Sequence, residues 1–154
     1  MSKPNVLFVC SHNSARSQMA EGWLRHLAGD RFGVYSAGVD PGTLNPLAVR
    51  AMQEVGLDIA DHKAEGVKTY LGHVPVSTLV IVCDKAAETC PRVWPGMKER
   101  LFWPFDDPSA AQGSDEDKLE VFRRVRDEIR EKIEHWLAEQ PAPADNASKP
   151  APAG

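Results

Sequence analysis

The strongest constraint on this chain is an apolar run that leads without a break into a polar loop and then into a helix. Residues 5–9 (NVLFV) suit a strand that is buried on both faces. Residues 10–16 (CSHNSAR) are a compact polar segment, and Ser17 is a typical helix start. Beyond Ser17 the apolar residues recur at helical spacing, namely Met19, Ala20, Trp23, Leu24 and Leu27, and Gly29 marks a stop. The sequence therefore predicts a strand, a tight loop and a helix in that order.

Three more segments have the character of strands. They are residues 32–37, 77–83 and 100–105, and the second is the clearest because β-branched residues dominate it. Helices are predicted through Ala48, Met52 and Val55, shortly after His62, and from about Glu116 onward. Strands that alternate with helices predict an α/β fold, a three-layer sandwich in which a four-stranded parallel sheet is flanked by helices.

The predicted sheet brings three reactive side chains to one edge. Cys10 follows the first strand, Cys83 ends the third and Asp107 follows the fourth. Ligands of parallel sheets bind beyond the carboxyl ends of the strands. We therefore expect these three residues to share one site.

The length of the chain predicts one domain. A single hydrophobic core is common in a chain of 154 residues, and we assign residues 1–139 to that domain. Residues 140–154 are rich in proline and alanine and lack apolar periodicity, so we expect a disordered tail there.

Composition excludes several classes of partner. The formal net charge of -4 provides no positive field that would recruit nucleic acid. No segment approaches the roughly 20 apolar residues that span a bilayer, and the first apolar run is too short for a signal peptide. We expect a cytoplasmic monomer in a compartment that keeps thiols reduced. The three cysteines then indicate catalysis, redox chemistry or metal binding rather than a disulfide framework.

The loop after the first strand has the composition of an oxyanion site. Its backbone N–H groups and the helix N-terminus would form a positive concavity, to which the loop contributes Ser11, His12, Asn13, Ser14, Ala15 and Arg16. Arg16 can bind two oxygens of a tetrahedral anion at once. The same field should favour the thiolate of Cys10 and make it a nucleophile. The alternative is a buried structural cysteine beside a surface arginine, but the position between a buried strand and an amphipathic helix favours the functional interpretation.

Cys83 and Cys90 form a second candidate pair. They are seven positions apart, which is too far for a Cys-x-x-Cys redox motif, and no companion zinc ligands accompany them. In a helix they would lie two turns, about 10 Å, apart. A disulfide needs Cα atoms within about 7 Å, so pairing would require the segment to unwind, and we predict a helix that loops out on oxidation. The alternative is a core residue at Cys83 and an incidental surface thiol at Cys90.

Four segments together carry a family resemblance. They are residues 6–23 (VLFVCSHNSARSQMAEGW), residues 35–38 (YSAG), the Cys83 and Cys90 pair, and residues 105–108 (FDDP). Over about residues 4–138 the chain resembles the low-molecular-weight tyrosine phosphatase fold family, and more narrowly its thioredoxin-coupled arsenate reductase branch. Members often have a further cysteine where this chain has Ala15, but that cysteine is not part of the redox relay.

The resemblance implies a mechanism. Cys10 would attack arsenate, Ser17 would hydrogen-bond the Cys10 thiolate, and Asp107 would be the general acid. A relay from Cys10 through Cys83 to Cys90 would release arsenite and be regenerated by thioredoxin. Because Asp106 and Asp107 are adjacent, backbone alternation allows only one of them to face the site, and we predict Asp107.

The resemblance also implies a potassium ion behind the loop, as in some relatives, and otherwise no tightly bound cofactor. The matching positions are Asn13, Glu21, Ser36 and Glu65. Glu65 stands where an aspartate is usual. The alternative is that these four residues are solvated or capping groups.

Two other functions stay open at this point. A low-molecular-weight protein tyrosine phosphatase that hydrolyses phosphate monoesters would share Cys10, Arg16 and Asp107 but give the other two cysteines no catalytic duty. Ser109 argues against an aryl phosphate substrate, because phosphatases of this fold usually have an aromatic residue after the Asp-Pro pair. The second alternative is a sensor that binds the oxyanion without turnover.

Overall fold

The computed structural model describes residues 3–13, 15–70, 73–83 and 97–140. These segments contain four strands, four helices and one 3-10 turn. They are β1 (Asn5–Cys10), α1 (Arg16–Ala28), β2 (Gly33–Gly38), α2 (Pro46–Gln53), α3 (Val67–Tyr70), β3 (Thr78–Ile81), β4 (Glu99–Phe102), the 3-10 turn Pro108–Ala110 and α4 (Asp115–Glu139).

The four strands form one parallel sheet in the order β2, β1, β3, β4. The strand β1 is central, and its residue Val9 is opposite Ala37 of β2 on one side and Ile81 of β3 on the other. Every residue of β1 after Asn5 is buried, as expected for a strand that neighbours cover on both faces. The predicted α/β fold with a four-stranded parallel sheet is confirmed.

The main differences from the predicted elements lie at strand and helix ends. The strand β4 stops at Phe102 rather than at residue 105, because Pro104 has no N–H with which to continue the ladder. Single hydrogen bonds from Trp103 to Ile81 O, 2.7 Å, and from Phe105 to Val82 O, 3.2 Å, extend the pairing beyond it. The strand β3 spans four residues of the seven predicted, since its outer residues make only such isolated bonds.

The helices also begin or end a few residues from the predicted positions. The helix α1 starts at Arg16, one residue early, and α2 ends before Val55 because Gly56 adopts a positive φ of 84°. The short helix expected after His62 begins only at Val67. The long helix α4 starts at Asp115, where Ser114 and Asp117 form a capping box.

The helix α1 is held between the sheet and α4. It packs on β1 and β2, and its residues Met19, Ala20 and Leu24 are fully buried. Trp23 Nε1 donates to the carbonyl oxygen of Arg126 in α4 at 3.0 Å, which fixes the two helices to each other. The N-terminus of α1 is therefore set rigidly against the carboxyl end of β1, where the candidate site lies.

Several predicted features lie outside the described residues. They are Cys90 and the helix predicted between Cys83 and Cys90, the loop residue Ser14, and the tail from residue 141 onward. Within the described ranges, none of the helices has the length and apolarity needed to cross a membrane.

Candidate active site

The loop between β1 and α1 turns its carbonyl groups away from the Cys10 side chain. The carbonyl oxygens of Cys10, Ser11 and His12 accept hydrogen bonds from the N–H groups of residues 39, 40 and 42, at 3.1, 2.8 and 2.9 Å. In a trans peptide the carbonyl and the following N–H point in opposite directions. The N–H groups that follow these carbonyls therefore point toward the interior of the loop, where an anion would lie.

Gly38, the last residue of β2, lets the strand approach the loop closely. A Cβ atom at this position would lie 2.8 Å from both the Asn13 nitrogen and the His12 carbonyl carbon. No side chain fits in that space. The Gly38 N–H also donates to the carbonyl oxygen of Glu65 at 2.7 Å, so three chain segments meet here.

Asn13 is the fully buried centre of the loop. Its φ of 54° is left-handed, a conformation that asparagine tolerates better than most residues. Its side-chain Nδ2 donates to Ser17 Oγ at 2.7 Å and to Ser36 Oγ at 3.0 Å, and its Oδ1 accepts from the Glu65 N–H at 2.8 Å. A backbone N–H can only donate, so this last bond fixes the orientation of the Asn13 amide.

The Cys10 sulfur receives two hydrogen bonds. The Asn13 N–H donates to Sγ at 3.1 Å, and Ser17 Oγ lies 3.0 Å from Sγ. Because Asn13 Nδ2 already donates to Ser17 Oγ, the Ser17 hydroxyl hydrogen is available to donate to the sulfur. Both groups can therefore donate to the sulfur that the sequence predicts as the nucleophile. The predicted contact between Ser17 and Cys10 is present in the structure.

The guanidinium of Arg16 connects the loop to the segment after β4. It donates to the Phe105 carbonyl oxygen at 3.1 Å and lies 3.6 Å from Asp107 Oδ2. Asp106 turns the other way and pairs with Arg124 at 3.2 Å. Of the two adjacent carboxylates, Asp107 alone faces the loop, which is the arrangement that backbone alternation predicts.

Cys83 lies beside the loop, two positions after the end of β3. Its Sγ is 3.3 Å from the hydroxyl oxygen of Ser11, the residue that follows the candidate nucleophile Cys10. Cys10 and Cys83 are each 3% exposed, and both are free thiols. The parallel sheet has thus brought two reduced, buried sulfurs to the same loop, as the strand ends predicted.

Comparison with known proteins assigns the chain to a family. It matches the low molecular weight phosphotyrosine protein phosphatase family over residues 5–143. The chain belongs to this family. It is 47% identical over 133 residues to an arsenate reductase of Halalkalibacterium halodurans, which covers 86% of this chain and 94% of that protein.

Solved structures of the same family agree. An arsenate reductase in the phosphate binding state has a TM-score of 0.75 and 30% identity, over 88% of this chain and 98% of that one. A thioredoxin-dependent arsenate reductase of Corynebacterium glutamicum has a TM-score of 0.63 and 26% identity, over 90% of this chain and 64% of that one. The family assignment therefore does not depend on one relative.

The four residues that the resemblance predicts to bind potassium lie together behind the loop. Ser36 Oγ accepts from Asn13 and donates to Glu21 Oε1 at 2.5 Å, while Glu21 also pairs with Arg25 at 2.6 Å. Glu65 joins the cluster through its backbone N–H. In the part of the chain that the structure describes, no three His, Cys, Asp or Glu residues form a metal-binding group. A cation here would therefore need the neutral oxygens of asparagine and serine as well.

Two residues of this region were missed by sequence reasoning. Gln18 is 1% exposed and hydrogen-bonds Asn13, but a polar residue in the first turn of an amphipathic helix is usually solvated. Its place as the third residue of α1, where glutamine often folds back on the helix start, was the available signal. The second residue is Tyr70. Burial, with the nearby Glu65 and Glu21 carboxylates, raises the pKa of its hydroxyl to about 12.

Proposed function

We propose that this protein is an arsenate reductase that acts through Cys10 and a disulfide relay. The observation that carries the proposal is the second buried thiol, Cys83, 3.3 Å from the Ser11 hydroxyl in the loop. A phosphatase of this family needs only one sulfur nucleophile, whereas a two-electron reduction needs a second thiol. The arsenate reductases among its relatives, at 47% identity and below, support the same activity.

In the first step the Cys10 thiolate attacks the arsenic atom. A sulfur–arsenic bond forms as an arsenic–oxygen bond breaks, and a hydroxyl group of arsenate leaves as water once Asp107, in its protonated form, has donated a proton to it. The inward N–H groups of the loop and Arg16 bind the remaining oxygens. Arg16 is near Asp107 in the structure, 3.6 Å from Oδ2, so the cation and the proton donor can act on the same anion.

In the second step Cys83 attacks the Cys10 sulfur. A Cys10–Cys83 disulfide forms as the sulfur–arsenic bond breaks, and the electron pair of that bond remains on arsenic. Arsenic(V) becomes arsenic(III), and arsenite is released. The two thiols supply the two electrons, and the thiol proton of Cys83 passes to the product or to water.

In the third step we infer that Cys90 attacks Cys83. The exchange frees the Cys10 thiolate and leaves a Cys83–Cys90 disulfide, which the dithiol of thioredoxin reduces. A relative described as thioredoxin-dependent supports this choice of reductant. Such a cycle needs a reducing compartment, and we therefore infer that the protein works in the cytoplasm.

The experiment is arsenate-dependent NADPH consumption with thioredoxin and thioredoxin reductase. The wild type should turn over, Cys83→Ser should release no arsenite, and Cys90→Ser should release one equivalent and stop with a Cys10–Cys83 disulfide. Hydrolysis of p-nitrophenyl phosphate, which needs only the loop and the acid, is the matched control and should survive in Cys83→Ser. Wild-type rates of arsenate reduction in Cys83→Ser would reject the relay, and no consumption by the wild type would indicate a phosphatase or a sensor.

We further propose that a potassium ion binds behind the loop. Side-chain oxygens, which Asn13, Glu21 and Ser36 all carry, are the donor type that this ion takes. A hydrogen bond already joins the oxygens of Ser36 and Glu21, and Asn13 Nδ2 donates to the same Ser36 hydroxyl. Glu65 lies beside them. The melting temperature should rise more in KCl than in choline chloride at equal ionic strength, and Glu21→Gln should remove the difference. Equal melting temperatures of the wild type in the two salts would reject the site.

A further inference from the structure

The conformation of the oxyanion loop depends on a residue that is remote from the substrate. We propose that Gln18 is a positioning residue, whose side-chain amide holds Asn13 in the left-handed conformation that points the Asn13 N–H at the Cys10 sulfur. The inference concerns the geometry of the loop, and it rests on the proposed function only in that the loop serves arsenate chemistry.

Three oxygen acceptors surround the side-chain nitrogen of Gln18, and two of them belong to Asn13. Its Nε2 lies 3.1 Å from the Asn13 carbonyl oxygen, 3.0 Å from Asn13 Oδ1 and 3.0 Å from the Lys63 carbonyl oxygen. Carbonyl oxygens can only accept, so the orientation of the Gln18 amide is fixed. Gln18 is 1% exposed, and water cannot replace these bonds without opening the fold.

The other end of the Gln18 amide is also occupied. Its Oε1 lies 3.0 Å from His62 Nδ1, and because the amide oxygen can only accept, the hydrogen must be on His62 Nδ1. Gln18 is thus bonded to the loop and to Lys63 through its amide nitrogen, and to His62 through its amide oxygen. The side chain cannot rotate without breaking several bonds at once.

Asn13 requires this support because its backbone is strained. Among the residues that the structure describes, it is the only one other than glycine with a positive φ. Side chains make the left-handed region unfavourable, and such strain persists where the surroundings impose it. The same backbone rotation sets the direction of the Asn13 N–H, which donates to Cys10 Sγ at 3.1 Å. Gln18 therefore acts on the nucleophile through Asn13.

The test replaces Gln18 by methionine, which has a similar size and no amide. The melting temperature of each variant is measured first. Phosphate affinity by calorimetry and the rate of Cys10 alkylation by iodoacetamide at one pH are then measured below it. We expect Gln18→Met to weaken phosphate binding roughly tenfold and to slow alkylation of Cys10. Gln18→Glu, which replaces the donor by an acceptor, should act in the same direction. Gln53→Met on the exposed end of α2 is the matched control and should change none of them.

A double-mutant cycle separates positioning from simple stabilisation. Glycine adopts a positive φ without strain, so in an Asn13→Gly background the removal of Gln18 should weaken phosphate binding less than in the wild type. The proposal fails if Gln18→Met lowers only the melting temperature, or if its effect on phosphate affinity is the same in both backgrounds. Phosphate binding needs no arsenate turnover, so a wild type inactive on arsenate would reject the proposed function and leave this test intact.

Discussion

The loop around Asn13 and the junction between α2 and α4 are both held by polar side chains, but the two networks use different groups. At the loop, neutral amides and hydroxyls bond one another in full burial, as Asn13 does with Ser17 and Ser36. At the junction, Arg123 binds both oxygens of Glu54 at 2.8 and 2.7 Å near the surface.

The difference shows how this protein separates function from stability. The hydrogen bonds among Asn13, Ser17 and Ser36 are directional and join groups without net charge, so ionic strength and pH should affect them less than they affect an ion pair. An ion pair at the surface contributes modest stability that depends on both. The loop network should therefore control chemistry, and the junction should control the free energy of unfolding.

The largest expected effect comes from filling the contact between β2 and the loop. In Gly38→Ala the new methyl would lie 2.8 Å from the Asn13 nitrogen, so the loop must move. A displacement of about 1 Å at a catalytic loop can reduce activity roughly a hundredfold, and we expect a loss of that order in arsenate turnover or phosphate affinity.

Gly42→Ala is the matched control for Gly38→Ala. Its Cβ would be 3.6 Å from His12 Cβ, an ordinary contact, and activity should stay within about twofold of the wild type. Equal activity in the two variants would show that the close packing of β2 on the loop is not needed.

A smaller effect, confined to stability, is expected at the junction of α2 and α4. Arg126 is 8% exposed and donates to the Ala51 carbonyl oxygen at 2.8 Å and to Glu54 at 3.1 Å. Arg126→Met leaves that carbonyl without its donor, and we expect the free energy of unfolding in urea to fall by about 2 kcal/mol.

Phosphate affinity should be unchanged in folded Arg126→Met. That result would show that the junction of α2 and α4 affects stability without affecting the loop. The exposed Arg124→Met is the control and should lower the free energy of unfolding much less than Arg126→Met does. If Arg126→Met changed phosphate affinity as much as the loop variants do, the two regions would not have separate roles.

The smallest expected effect is the pH dependence of the ion pair. The hydrogen bond from Arg123 lowers the pKa of Glu54 from 4.5 to about 2. A lowered carboxyl pKa means that the stabilisation is complete above pH 4.5 and is lost as the pH falls toward 2. Because the Glu54 side chain is 35% exposed, we expect only about 1 kcal/mol at low salt.

The measurement compares urea unfolding of the wild type and Glu54→Gln at pH 7 and pH 3. The wild type should be the more stable at pH 7, and the difference should shrink at pH 3. A difference that grows on acidification would have the wrong sign for this pair. The affinity of the loop for phosphate should be the same in both proteins at pH 7.

Much of the fold could be predicted because it depends on local patterns. The apolar run of β1, the β-branched run of β3 and the periodicity of α4 each indicate an element with a buried face. The ends of β2, β3, β4 and α2 could not be predicted to the residue, because they depend on where neighbouring strands stop pairing and on single residues such as Pro104 and Gly56.

The sequence by itself determined the candidate nucleophile, the arginine predicted to bind the anion and the edge of the sheet at which they lie. A cysteine at the end of a buried strand and an arginine at the start of the next helix are neighbours in the chain, so their proximity is local. Only the tertiary structure decided which distant groups complete the site. Gln18 and Lys63 are 45 positions apart, and Arg16 and Phe105 are 89 apart. Such contacts arise because packing brings distant segments of the chain together, and no short pattern in the sequence predicts them.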